Sequence, residues 1–375
     1  MFRSLAACLL LVFTAAPALA QATIDTAAKQ AIVIDYDTGT VLLEKNADDK
    51  MPTSSMSKVM TAYMIFEALK QGQFSLDQQL MVSEKAWRME GSKMFIEVGK
   101  QISVDDLLHG VIIQSGNDAT VVLAEGLSGS EEVFAKNMTQ KAHDLGMVNS
   151  NFKNASGWPD PDHYSTARDL SILARSLIKE FPEYYKYYAQ KEFTYNSIKQ
   201  GNRNPLLYLN IGADGIKTGH TEAAGYGLIG SGISGDRRVI FVMNGLKDEK
   251  ERAQEGAKLL DWGLKNFENI KLFKDKQTIV NVPVAMGIAK SVPMVIHEQM
   301  AITVPSATAA GIKVTLTYKE PLIAPVQAGQ QIGTALVEIP HAKAIEIPVY
   351  AEQDIERLGI FAAAIEKAKM LVTGS

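Results

Sequence analysis

The sequence predicts an α+β chain: an antiparallel sheet flanked by helices, then a small all-β domain, then an amphipathic C-terminal helix. Three observations carry this. The segments 31–35 and 40–44 are apolar runs joined by a Gly-containing turn, the signature of a hairpin. Helical periodicity then dominates from 104 to 179 before strand texture returns at 225–244. Beyond Lys276, short alternating runs punctuated by Pro and Gly read as a compact β domain. A chain of 375 residues is long enough for one large domain and one smaller one. We therefore expect domains over 21–275 and 276–352, with a helix over 353–375.

Taken in order, the first element is a leader. Arg3 gives a positive start, Leu5 to Phe13 is apolar, and Ala18-Leu19-Ala20 is a small-x-small cleavage site. Residues 1–20 are expected to be removed after Ala20 and the mature chain exported. Cys8 is the only cysteine, so the mature chain has no disulfide, thiol nucleophile or Cys-ligated metal. The tetrad Leu5-Ala6-Ala7-Cys8 resembles a lipidation box, but it precedes most of the apolar run and is rejected.

After the hairpin, Met56, Val59, Met60, Tyr63 and Met64 recur at helical spacing. Ser55 falls on the first turn of this helix and Lys58 one turn later on the same face. Helices follow over 104–113, 118–127, 131–145 and 166–179, with Ser115-Gly116-Asn117 in the break between the first two. Strands at 225–230 and 237–244 follow Lys217-Thr218-Gly219, which is expected on an edge strand lining a cleft. A helix over 249–266 closes the unit. Strands are expected at 278–284, 312–318 and 344–350.

In the tail, 354–375, Leu358, Phe361, Ile365 and Val372 share one face, filled in by Ala362 and Ala368, with Glu356 and Lys367 opposite. It is too charged to span a bilayer but suits a helix lying in the membrane interface. The competing reading is a helix packed on its own protein.

Composition excludes several functions. The net charge of −4 and the lack of a basic run argue against a nucleic-acid partner. There is no Gly-rich phosphate cradle, and none of the six histidines has ligand spacing, so neither a cofactor nor a metal is expected. No Gly-x-Ser-x-Gly elbow is present, which weakens a Ser-His-Asp hydrolase.

Three short motifs carry the chemistry. Ser55-x-x-Lys58 is a nucleophile with an amine base. Ser115-Gly116-Asn117 offers a second hydroxyl and an amide. Lys217-Thr218-Gly219 offers a cation and a hydroxyl beside a glycine. In this order they form a kit for acyl transfer through a serine ester. A Ser-x-x-Lys tetrad alone is expected about once by chance in such a chain; the ordered set is not.

With their flanking text, these motifs resemble the serine D-alanyl-D-alanine carboxypeptidases, the low-molecular-mass penicillin-binding proteins of the penicillin-binding protein 5 type. The resemblance also covers Leu145-Gly-Met147, His163-Tyr-Ser-Thr-Ala167, Phe181-Pro-Glu-Tyr184 and Lys217-Thr-Gly-His-Thr221, and it spans nearly the whole mature chain. It implies a β-lactamase/DD-peptidase-like catalytic fold acting on peptidoglycan pentapeptide stems and acylated by β-lactams.

Carried over, the resemblance makes Ser55 the nucleophile, Lys58 its base and Ser115 a proton relay to the leaving D-alanine. Asn117 would bond the substrate amide. Lys217, Thr218 and Arg252 would meet the terminal carboxylate, and Gly219 would leave room for an extended substrate. The backbone N–H groups of Ser55 and His220 would form the oxyanion hole. The β domain would be a spacer, and the tail would attach to the periplasmic face of the cytoplasmic membrane.

DD-endopeptidase action, weak β-lactamase action, and a peptidoglycan-binding or cell-shape role remain the alternatives. No Glu lies between Glu132 and Glu180, where class A β-lactamases carry their deacylating acid. The loop from Trp87 to Phe95 is shorter than in these relatives, and its Met89, Met94 and Phe95 read as core.

Overall fold

The computed structural model describes residues 9–12, 24–340 and 342–373. The chain divides into a unit over 23–265 and a second one built on 266–375. This moves the expected boundary at 275/276 upstream. Phe267–Phe273 is already a strand of the second unit, paired antiparallel with Met300–Pro305.

The first unit is built on a five-stranded antiparallel sheet. Its strands are β1 (Gln30–Asp35), β2 (Val41–Lys45), β3 (Ala213–Thr221), β4 (Gly225–Ser234) and β5 (Arg237–Leu246), in the order β2-β1-β5-β4-β3. Strand period explains its two covered faces. Val33, Val239, Phe241 and Met243 pack with Leu259 and Leu260 of helix α6 (Glu249–Lys265). The alternate residues Ile32, Ile34, Ile240 and Val242 join the larger core of the helical lobe.

At the centre of that lobe lies α1 (Lys58–Lys70), apolar nearly all round and buried along most of its length. Around it are α2 (Val104–His109), α3 (Asn117–Ser128), α4 (Glu131–Asp144) and α5 (Ala167–Glu180). Ser103, Ser130 and Thr166 cap α2, α4 and α5 by accepting backbone N–H groups with their hydroxyls. The helix expected over 104–113 changes pitch inside: after His109 the turn Gly110–Gln114 is π-helical.

In the second unit, apolar side chains such as Val282, Met294, Val337 and Val349 form a separate core. The expected tail helix begins later than 353. Ile355 is buried in that core and bridges Val326, and Leu358 N–H donates to Met286 O at 2.8 Å. Helix α7 is Ile360–Thr373, so Leu358 precedes it rather than joining its apolar face. Ile360 and Phe361 are 88 % and 89 % exposed.

Among the described residues, no helix is long and apolar enough to cross a membrane. The expected leader over 1–20 lies outside the described residues, apart from Leu9–Val12, a strand paired with 313–316.

Candidate active site

Ser55 sits in a 3₁₀ turn, Ser54–Ser57, that runs directly into α1. The three-residue offset returns the Lys58 side chain to the nucleophile. Its Nζ lies 2.9 Å from Ser55 Oγ, 2.7 Å from Asn117 Oδ1 and 2.6 Å from the Ser156 carbonyl. Lys58 is 1 % exposed. Burial pushes its pKa down to about 7, with the Arg203 guanidinium adding to the shift and Asp118 opposing it. Near neutrality much of this amine is uncharged and can take the Ser55 proton.

The back of the turn is held by a chain of side chains. Lys153 N–H donates to His163 Nδ1 at 3.2 Å, so the ring proton is on Nε2, which faces Ser57 Oγ at 2.8 Å. Ser57 and Thr53 hydroxyls are 2.5 Å apart. Burial first, then Lys58, pushes His163 down to about 4 against the pull of Asp160, so the ring stays neutral beside the site.

Gly157, at φ +80°, brings the 154–158 loop onto the same turn; a Cβ there would stand 1.8 Å from Ser54 O. Gly219 meets the same turn from β3. Its missing side chain makes room for the nucleophile turn, since a Cβ would meet Thr53 O at 2.9 Å and Met56 Cγ at 3.1 Å.

The second motif follows the π turn. Ser115 is buried and left-handed (φ 64°, ψ 33°), and Asn117 opens α3. The Asn117 amide is fixed at both ends, Oδ1 on Lys58 and Nδ2 donating to Glu90 O at 2.7 Å. Asp118 accepts the N–H groups of Met94 and Phe95, each at 2.9 Å, and so sews the 87–95 loop to this motif. Within that loop Met94 is core, Met89 packs against the core, and Phe95 is exposed rather than buried.

The third motif lies on β3, at the edge of the sheet as expected. Lys217 is 3 % exposed and its Nζ donates to Thr218 O at 3.1 Å. Burial holds its pKa well below the usual value, and the cations Lys58, Arg203 and Arg252 push it the same way. Thr218 is buried beside it. His220 is exposed and stacks on Tyr226 with ring centroids 3.9 Å apart. The Arg252 guanidinium of α6 lies 5.5 Å from the centroid of the same Tyr226 ring. Arg252 is 5 % exposed, its Nε without a hydrogen-bond partner, so it is no ordinary surface charge.

Four cations therefore converge on one cleft, an arrangement suited to a carboxylate-bearing substrate. Residues 15–247 match the family described as D-alanyl-D-alanine carboxypeptidase, Peptidase S11. The chain belongs to the D-alanyl-D-alanine carboxypeptidase family. Residues 267–357 match the penicillin-binding protein 5 C-terminal domain.

The D-alanyl-D-alanine carboxypeptidase DacC of Escherichia coli is 39 % identical over 338 residues, covering 88 % of this chain and 84 % of that one. The crystal structure of penicillin-binding protein 5 from Haemophilus influenzae has a TM-score of 0.82 at 36 % identity, covering 90 % of this chain and all of that one. An ampicillin-bound penicillin-binding protein D2 from Listeria monocytogenes has a TM-score of 0.60 at 33 % identity, covering 65 % of this chain and 99 % of its own.

Within this carboxypeptidase framework, Ser55, Lys58 and Asn117 form one bonded cluster, with Ser115 two residues before Asn117. Lys217 and Arg252 join them as charges that act on one another. Sequence reasoning gave no role to Arg203, Asp118, Ser156 or His163, although His163 opens one of the segments that carry the resemblance. Arg203 Nη1 donates to Ser92 Oγ at 2.6 Å and depresses both site lysines. Two of them carried a signal: Asp118 in its place directly after Asn117, and His163 in the segment His163-Tyr-Ser-Thr-Ala167. Among the described residues no cluster of His, Cys, Asp and Glu could hold a metal ion.

Proposed function

We propose that this chain is a serine D-alanyl-D-alanine carboxypeptidase that removes the terminal D-alanine from peptidoglycan pentapeptide stems. The observation that carries this is the desolvated Lys58 amine 2.9 Å from the Ser55 hydroxyl. Ser55 Oγ attacks the penultimate D-alanine carbonyl while Lys58 Nζ takes its proton. The backbone N–H groups of Ser55 and His220 receive the oxyanion. The C–N bond then breaks, and Ser115 passes a proton to the leaving amine. Lys217, Thr218 and Arg252 hold the terminal carboxylate, and Asn117 bonds the substrate amide. Water hydrolyses the ester with Lys58 again the base.

A β-lactam follows the same first step. The loop after the second motif carries no glutamate to activate a deacylating water, so the penicilloyl ester persists rather than turning over at tens per second. Export of the mature chain and attachment of α7 to the outer surface of the cytoplasmic membrane complete the reading. The two exposed apolar residues that open the helix, Ile360 and Phe361, support the attachment.

The test is release of D-alanine from diacetyl-Lys-D-Ala-D-Ala by the mature protein beside Ser55→Ala. Release by the wild type alone is expected. Penicillin labelling of Ser55 without release would favour endopeptidase action or a binding role.

A further inference from the structure

The second unit covers its large apolar side chains except at one end. Among its described residues five are exposed: Ile288 (62 %), Ile323 (69 %), Ile360 (88 %), Phe361 (89 %) and Ile365 (60 %). Backbone pairing brings them together. Ile323 lies opposite Ala285, where Leu322–Ile323 pairs in parallel with the end of the strand Thr278–Ala285. Ile288 comes three residues later, and its N–H donates to Glu356 O at 2.9 Å. Gly287 bridges Arg357, and Leu358 N–H donates to Met286 O at 2.8 Å, two residues before α7 begins.

The helix is thus tied to the loop that carries Ile288. Between them lies a cavity of about 280 Å³, whose wall takes Ile288 and Lys290 from the loop and Ala362, Ile365 and Glu366 from the helix. Ala362 and Glu366, one turn apart, therefore turn toward the β domain, while Ile360 and Phe361 stand in solvent.

An exposed apolar cluster of this size calls for a partner. Two observations select a bilayer. The cluster is continuous with α7, which is too charged to span a membrane but suits its interface. Its charge also fits an anionic surface: the 286–290 loop and the helix carry Lys290, Lys367 and Lys369 against Glu366 alone, in a chain whose net charge is −4.

We propose that Ile288 and Ile323 enter the membrane interface together with α7, so that the β domain itself meets the lipid rather than hanging from a helix. The inference rests on the attachment of α7 proposed above. Lysines at the rim reach the headgroup phosphates while the isoleucines enter the acyl boundary. Two isoleucines are too few to hold a chain from which α7 has been cut away.

The test uses the full mature chain with vesicles of phosphatidylethanolamine and phosphatidylglycerol. Cys8 is the only native cysteine and lies in the expected leader, so Ile288→Cys takes an environment-sensitive dye at one place. On vesicles its emission should shift to the blue and be quenched by brominated acyl chains. The double variant Ile288→Ser with Ile323→Ser, first shown to melt as the wild type does, should lower the vesicle partition coefficient by about tenfold. Vesicle-bound protein with an unshifted dye, or a double variant that partitions like wild type, overturns the inference and leaves the anchor helix standing. Self-association that the double variant loses, with vesicle binding unchanged, would assign the face to a second copy of the chain instead. Wild type that stays free of the vesicles would remove the attachment of α7 and this face together.

Discussion

A lysine works as a base near neutrality only when its surroundings make the ammonium expensive. At Lys58 that expense comes from burial and from Arg203, while three acceptors hold the side chain in place. Arg203→Ala removes a repelling cation, so the Lys58 pKa should rise. The alkaline plateau of kcat/KM should survive, and the rate at about pH 6.5 should fall by about threefold. An unshifted profile would show that Arg203 plays no electrostatic part. At this scale the sequence revealed residues that share a local frame. Ser55 and Lys58 are three apart on one helix, and Lys217 and Thr218 are adjacent. Arg203 and His163 lie in loops, and tertiary folding brings them in from 145 and 106 residues beyond Lys58 and Ser57 respectively.

Among the elements, the site depends on three close approaches: β3 onto the 3₁₀ turn, the 154–158 loop onto the same turn, and the 87–95 loop onto Asn117 and Asp118. Gly157→Ala tests the second. A left-handed alanine costs about 1 kcal/mol or more by itself, and its Cβ cannot coexist with Ser54 O at 1.8 Å. Ser55 labelling by penicillin should slow by tenfold or more; an unchanged rate would mean the turn is not positioned by this loop. Periodicity made the helices and strands legible because each has a buried stripe. It could not show the π turn of Gly110–Gln114, because all five of its residues are buried and no polar face marks a change of pitch. Nor could it show that Gly219 serves the nucleophile turn, because close approach between elements leaves no trace in one segment's pattern.

Across the whole molecule, the α+β unit followed by an all-β domain was legible from the change in texture. The boundaries were not. Phe267–Phe273 pairs with a strand beyond it rather than with the sheet before it, and Ile355 reads as tail yet fills the second core. This sets where the proposed anchor can be cut. A chain ending at Gly359 keeps Ile355 and the Leu358–Met286 hydrogen bond and loses only α7. It should partition into the soluble fraction and release D-alanine from a small peptide at the full-length rate. Retention on membranes would move the attachment elsewhere.

The central claim is that Lys58 acts as a neutral amine toward Ser55. The direct measurement is the pH dependence of kcat/KM for D-alanine release by the mature wild-type protein. Because the base must be unprotonated in the free enzyme, the rate should rise with pH through an apparent pKa of about 7 and then level. A rise centred near the ordinary lysine value of about 10.4, or no rising limb at all, would contradict the account.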